Sequence, residues 1–204
     1  MADTTLEPVR IDPTTDLAEV PIPTHVGERL QTLYGSEAPP TDAATWIDAT
    51  RAGIEAVRGR SPTIEDLCTA SDGRHVFEAA DGEHRQAYVC VLDPLAYPFL
   101  TDTPGTVRSR TPVREATVTV AIAPEGVEVS HEDAVVSLGV SDHVQSVEAV
   151  TPEVIYRQVC GYIQVFEDAA EYEAWAAEAE AATTSYPAET GVGLAAGIAG
   201  ALFD

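Results

Sequence analysis

The pattern of apolar residues changes at residue 75, and this change constrains the fold more than any other feature of the chain. Before it, residues 26–34 and 43–57 place apolar side chains at helical spacing, and Asp42 is a suitable N-cap for the second segment. After it, short β-branched segments are separated by Pro, Gly and Asp, which is typical of mainly antiparallel strands. The sequence therefore predicts an α+β protein: a small helical N-terminal unit followed by a mainly antiparallel β-sheet core flanked by helices.

The boundaries of the segments follow from turn and capping residues. A hairpin is predicted from residues 75–79 and 86–90 around the Asp81-Gly82 turn, and a short helix from Ser61-Pro62 that contains Leu67 and Cys68. The further predicted strands are residues 106–109, 116–122, 126–130, 134–138 and 154–166, and the further predicted helices are residues 169–182 and 189–203. This divides the chain into a leader that is extended or partly disordered (1–24), the helical unit (25–72) and a larger α+β domain (73–204).

The charge is strongly acidic and limits the classes of partner. The chain has 34 Asp and Glu against 11 Lys and Arg, a formal net charge of -23, and all of its basic residues are arginine. Such a polyanion repels nucleic-acid phosphates, so nucleic acid is not expected as a partner. At about 1 M salt the Debye length is only about 3 Å, so the self-repulsion would be screened, as in proteins of salt-loving microbes.

Segments that would direct the chain to a membrane are not evident in the sequence. No stretch approaches the roughly 18 apolar residues of a membrane span, and the first 20 residues lack the basic start and apolar core of a signal peptide. We therefore expect a cytoplasmic protein that does not associate with a membrane.

The chain has three cysteines, Cys68, Cys90 and Cys160, and five histidines that are scattered away from them. An odd, small number of cysteines fits neither a disulfide framework nor a closely spaced zinc site. Reduced thiols are the simpler interpretation. Because free cysteine is often buried as a small apolar residue, a structural role is the first interpretation of Cys160 and of Cys68, which has no evident partner carboxylate.

Cys90 and Asp93 lie at the end of an apolar strand-like run and just before the apolar segment that starts at Pro94. Asp93 followed by proline predicts a helix N-cap. Cys90 would then precede a helix N-terminus, where the helix dipole and free amides favour thiolate over thiol. A capping role and a chemical role for Asp93 are compatible.

Residues 75–100 resemble the core motif of the organomercurial (alkylmercury) lyases, in which a hairpin leads to Cys-x-x-Asp and then to an apolar helix with a proline. A second cysteine, Cys160, and an acidic helix with Trp175 follow in the same order, so the resemblance covers roughly residues 60–180. It implies that Cys90, Asp93 and Cys160 are catalytic and that Cys90 and Cys160 bind the mercury of substrate and product.

The same resemblance implies a winged-helix-like N-terminal unit and a catalytic domain at 73–204. It further implies organomercurial substrates, small thiols as partners, a mercuric reductase as a candidate recipient of the product, and no organic cofactor. With the acidic composition, it suggests a salt-adapted, haloarchaeal-type member of the family.

The implied chemistry is consistent with the residue types. Mercury(II) is a soft ion that prefers thiolate ligands, so two converging cysteines can hold it, and a nearby carboxylate can carry a proton to the departing carbon. A helix N-terminus would lower the pKa of Asp93, and a dry apolar pocket would raise it. We expect the sulfur atoms of Cys90 and Cys160 to face one pocket beside Asp93. The predicted pocket residues are Leu92, Tyr97 and Phe166.

Two functions therefore remain open from sequence. The leading hypothesis is protonolysis of the carbon–mercury bond by a lyase. The alternative is a non-catalytic protein that binds or senses a soft metal, Hg(II) or Cu(I), through the same cysteines. A DNA-binding regulator that uses the N-terminal helices is disfavoured by the acidic charge.

Overall fold

The computed structural model describes residues 8–146 and 149–203. The helices are α1 (Thr24–Tyr34), α2 (Ala43–Arg58), α3 (Leu92–Thr101), α4 (Pro152–Gln158), α5 (Ala169–Ala176) and α6 (Ala188–Ala201). The strands are β1 (Val9–Ile11), β2 (His75–Ala79), β3 (Arg85–Tyr88), β4 (Gly105–Arg110), β5 (Thr117–Ala123), β6 (Gly126–Val129), β7 (Val135–Ser141), β8 (Val165–Phe166) and β9 (Ala181–Pro187). The mixture of helices and antiparallel strands confirms the predicted α+β class.

The larger sheet has six antiparallel strands in the order β1-β6-β5-β4-β2-β3. Its strands alternate buried and exposed side chains, as β4 and β5 show, because one face covers the core. The predicted hairpin is formed by β2 and β3, and Phe77 lies opposite Gln86. The turn between them includes Gly82, whose φ of 75° favours glycine.

Part of the predicted leader belongs to this sheet. Strand β1 pairs with β6, with Val9 opposite Val129, and Val20 and Ile22 are buried in the core. The few apolar side chains of residues 8–24 alternate with Thr, Pro and charged residues. They therefore lie on one side of the extended segment, which packs against the rest of the chain. Residues 1–7 of the predicted leader lie outside the described residues.

The smaller sheet has the order β8-β7-β9, and its central strand β7 is buried almost throughout. Helix α6 packs closely against it, since a Cβ added at Gly191 would lie only 2.6 Å from a methyl group of Val136. The predicted C-terminal helix is therefore present, and at least one of its glycines permits close packing rather than disrupting the helix. The N-terminal helices contribute Leu30 and Trp46 to the same hydrophobic core.

The segment before the hairpin is extended, not helical as predicted. Only Ile64–Asp66 forms a turn of 3-10 helix. The Asp66 carboxylate stabilises the start of this turn by accepting a hydrogen bond from the Thr63 backbone N–H at 2.9 Å. The chain then runs beside β3: the Val89 N–H donates to the Cys68 carbonyl (3.1 Å), and the Ala70 N–H donates to the Ala87 carbonyl (2.9 Å). This pairing places Cys68 next to the strand that leads to Cys90.

Two other predicted boundaries are wrong. Residues 154–166, predicted as one strand, form α4, a 3-10 turn at Cys160–Tyr162 and the short strand β8. The Thr151 side chain caps α4 and Pro152 occupies its first turn, so these start signals prevail over the β-branched residues that follow. Residues 177–182, predicted as helix, lead into β9, where pairing with β7 prevails over the helical propensity of alanine. Among the described helices, none is both long and apolar enough to cross a membrane.

Candidate active site

Two thiols and one carboxyl group lie close together, and a third thiol is buried nearby. The Sγ atoms of Cys68 and Cys160 are 3.0 Å apart, and the ligand atoms of Cys68, Asp93 and Cys160 all lie within 4.8 Å of one another. Cys90 is buried nearby and its thiol interacts with that of Cys160, but its sulfur is not one of these three mutually close ligand atoms. The structure thus groups Asp93 and Cys160 with Cys68, and Cys90 neither belongs to this group nor lines the cavity beside it.

The sequence shows no carboxylate beside Cys68, which favours a structural role, but the structure places Asp93 there. The Cys68 backbone N–H donates to Asp93 Oδ2 at 2.8 Å, and the Cys68 Sγ lies within 4.8 Å of an Asp93 carboxylate oxygen. The two residues are 25 positions apart. The pairing of residues 68–70 with the end of β3 brings them together, and no local pattern in the sequence indicates that pairing.

Asp93 lies in the first turn of α3 but does not cap it. The N-cap residue is Val91, which has no capping side chain, and the Asp93 side chain points to Cys68 instead. Burial raises the pKa of Asp93 from 3.8 to about 6, against the hydrogen bonds from Cys68, which lower it. Desolvation is therefore the dominant effect on this carboxyl group, and the lowering expected of a capping role does not apply.

The two buried thiols favour their protonated forms. Burial raises the pKa of Cys90, partly offset by hydrogen bonds to Cys160 and to the Asp93 backbone N–H. The pKa of Cys160 lies well above its ordinary value because its thiol interacts with those of Cys68 and Cys90 and because it is buried. A metal that binds here must displace protons, and Asp93, ionised near neutral pH, is the nearby base that can accept one.

A small cavity of about 70 Å³ adjoins the cluster. Cys68, Asp93 and Cys160 form one wall, and apolar side chains that include Ile54, Ile155 and Phe203 form the others. The arrangement provides soft ligands and a proton carrier beside a small, largely apolar space.

The predicted pocket residues do not line this cavity. Leu92 is buried in the core, Tyr97 stacks on His84 with ring centroids 4.9 Å apart, and Phe166 packs against Trp175. Each is close in sequence to a site residue, but closeness along the chain does not determine which side of an element a side chain covers. The actual walls come from α2, α4 and the end of α6.

The buried Gln164 side chain joins the segments that carry Cys90 and Cys160. Gln164 donates from Nε2 to the carbonyl of Gly161 (3.2 Å), which follows Cys160, and to the carbonyl of Val89 (3.5 Å), which precedes Cys90. His75 Nε2 donates to Gln164 Oε1 at 3.1 Å. Burial lowers the pKa of His75 to about 4, so the ring is neutral and can accept at Nδ1 from the Ser109 hydroxyl (2.9 Å). The sequence prediction missed this network, whose members are separated along the chain.

Comparison with known proteins relates this geometry to one family. No curated protein matches the chain. A solved structure described as the mercury-bound form of MerB2 is similar in fold, with a TM-score of 0.50, 11% sequence identity and coverage of 88% of this chain and 100% of that chain. The family model for alkylmercury lyase (MerB) matches residues 68–200, which is more than half of the chain and includes all three cysteines. The chain therefore belongs to the alkylmercury lyase family.

Proposed function

We propose that the protein is an organomercurial lyase that cleaves the carbon–mercury bond of R-Hg-X by protonolysis, using Cys90, Asp93 and Cys160. The observation that carries this proposal is the Asp93 carboxyl group, buried beside the thiol cluster with a pKa raised to about 6. A metal-binding site needs only the sulfur atoms. Cleavage also needs a carboxyl group that can accept a proton and return it near neutral pH.

The reaction begins with ligand exchange at mercury. One thiol replaces X, so a sulfur–mercury bond forms, the mercury–X bond breaks and the thiol proton leaves with X. The second thiol then binds the mercury and transfers its proton to the Asp93 carboxylate. Two thiolates donate electron density to the metal and weaken the bond to carbon, as expected for soft ligands on a soft ion.

Protonated Asp93 then completes the cleavage. It transfers its proton to the carbon atom, which takes the electron pair of the carbon–mercury bond and leaves as R-H. Mercury remains as Hg(II) bound to the two thiolates, and no oxidation or reduction has occurred. Small thiols then remove the product, and a mercuric reductase is the proposed recipient. The proposed reaction uses no organic cofactor.

The second candidate is a non-catalytic soft-metal protein. The close approach of Cys68 and Cys160, with Cys90 beside them, favours it, because three sulfur atoms could hold Hg(II) or Cu(I) without further chemistry. The two candidates share the thiols and differ in the need for Asp93.

Asp93→Asn separates the two candidates. The amide oxygen of asparagine can still accept the hydrogen bond from the Cys68 N–H, so the fold and Hg(II) binding should persist. Cleavage of phenylmercury, followed as benzene released in molar salt with excess thiol, should fall by about 10² to 10⁴-fold, the usual contribution of a general acid. Cleavage at the wild-type rate by the folded variant would refute the proton transfer through Asp93.

A further inference from the structure

The three thiols differ in their access to solvent. Cys90 and Cys160 are 3% and 4% exposed, whereas Cys68 is partly exposed. The Sγ atoms of the buried Cys160 and the more exposed Cys68 are 3.0 Å apart, so a second soft ligand lies directly on the outer side of Cys160. A soft metal ion could therefore pass from a buried thiol to a more exposed one.

Cys68 also borders a second cavity. This outer cleft has a volume of about 490 Å³ and is lined by residues that include Cys68, Glu65, Tyr156 and Arg157. Tyr156 is 39% exposed, so the cleft is open at the surface. Of the three cysteines, Cys68 alone is found in the walls of both the outer cleft and the inner cavity.

The small size of the inner cavity explains why a thiol at the position of Cys68 would help mercury to leave. Ligand exchange at mercury requires an incoming sulfur to reach the metal while it is still bound. A cavity of about 70 Å³ beside the buried Cys160 sulfur leaves little room for a free thiol such as glutathione. The outer cleft has that room, and the Cys68 sulfur lies 3.0 Å from the Cys160 sulfur.

We propose that Cys68 is a relay thiol, which takes Hg(II) from Cys90 and Cys160 and presents it to small thiols in the outer cleft. The origin of the mercury rests on the proposed lyase function, but the transfer itself does not. The role goes beyond the two cysteines and one aspartate of the proposed cleavage.

The transfer is a series of three ligand exchanges. The Cys68 sulfur bonds to mercury, the bond from mercury to the Cys160 sulfur breaks, and the Cys68 proton passes through the Asp93 carboxylate to the Cys160 thiolate. An incoming thiol then bonds to mercury in the outer cleft. Its proton passes to the Cys90 thiolate as the bond from mercury to Cys90 breaks, and a second incoming thiol replaces Cys68 in the same way. Mercury stays Hg(II) throughout.

The test uses protein loaded with one equivalent of inorganic Hg(II), so it does not depend on cleavage. The loaded protein is mixed rapidly with excess glutathione, and after each interval the protein is separated by rapid gel filtration and its remaining mercury is measured. Cys68→Ser keeps the size of the side chain and removes the sulfur. We expect it to bind one Hg(II) as wild type does and to release it at least about tenfold more slowly, a barrier increase of about 1.4 kcal/mol.

Two further variants serve as controls for Cys68→Ser. Cys68→Ala should behave as Cys68→Ser does, and it serves if the serine variant does not fold; Ser130→Ala, which removes a hydroxyl group outside both cavities, should release Hg(II) at the wild-type rate. Equal release by wild type and Cys68→Ser would overturn the proposal, and so would loss of Hg(II) binding by the folded variants. A fall in single-turnover benzene release as large as the fall in transfer would also overturn it, because Cys68 would then act in cleavage.

Discussion

Individual residues determine the protonation chemistry of the site, and Asp93 is the clearest case. A carboxyl group with its ordinary pKa would be a weak proton donor near neutral pH, whereas burial brings that of Asp93 to about 6. The sequence was sufficient to place Cys90 and Asp93 next to a helix N-terminus, because the two residues are local neighbours. It could not show that Asp93 faces Cys68, since that contact depends on pairing between distant segments.

The raised pKa of Asp93 predicts a specific pH dependence of stability. Because the folded pKa lies above the unfolded value, protonation favours the folded state, and the contribution of Asp93 to stability falls as pH rises from 3.8 toward about 6. Asp93→Asn removes this dependence. Relative to wild type, the variant should therefore gain up to about 3 kcal/mol in the free energy of unfolding between pH 4 and pH 7.5.

Urea unfolding of both proteins at the two pH values and constant salt measures this double difference. The comparison cancels any effect of asparagine that does not depend on pH. If the difference between the two proteins is the same at pH 4 and pH 7.5, Asp93 does not have a raised pKa in the folded protein.

At the scale of elements, the site depends on how the strand before Cys90 and the turn at Cys160 are held together. The alternating patterns of the large sheet were predictable, because half-buried strands repeat every two residues. The turn at Cys160 was not, because a capped helix start at Thr151 competes with β-branched residues and tertiary contacts decide between them. The cavity walls were equally unpredictable, since they come from three separate helices.

Gln164 is the residue that we expect to hold these elements in register. Gln164→Leu leaves the His75 ring and the carbonyl groups of Gly161 and Val89 without this partner, so the free energy of unfolding should fall by about 1 to 3 kcal/mol. Benzene release should fall as well, because the two thiol-bearing segments lose their shared contact.

Gln86→Leu is the matched control. The Gln86 side chain donates to the adjacent Ala87 carbonyl on the hairpin, so its loss should change stability by about 0.5 kcal/mol or less. Equal effects of the two substitutions, measured by urea unfolding, would show that Gln164 has no special role in joining the segments.

At the scale of the whole molecule, the main electrostatic feature is a large net negative charge. Several arginines are committed to ion pairs, as Arg114 is with Glu167 and Asp168 and Arg60 is with Asp66, but acidic residues exceed basic ones by about three to one. We propose that this surface is an adaptation to high salt, where screening removes most of the repulsion.

This proposal predicts that salt stabilises the protein. The Tm should rise by about 5 °C or more between dilute buffer and molar KCl, which for a chain of this size corresponds to about 2 kcal/mol. Molar sucrose is the control for general solute effects, since it does not screen charge, and it should raise the Tm less. A Tm that is unchanged or lower in KCl would contradict the proposed adaptation.

The most direct test of protonolysis is the origin of the hydrogen atom on the product. Phenylmercury is cleaved in D₂O with molar KCl and excess thiol, and the benzene is analysed by mass spectrometry. Because the thiol and Asp93 protons exchange with solvent, we predict benzene with one deuterium atom and one Hg(II) released per benzene. Failure to release benzene, or release of benzene without deuterium, would contradict the account.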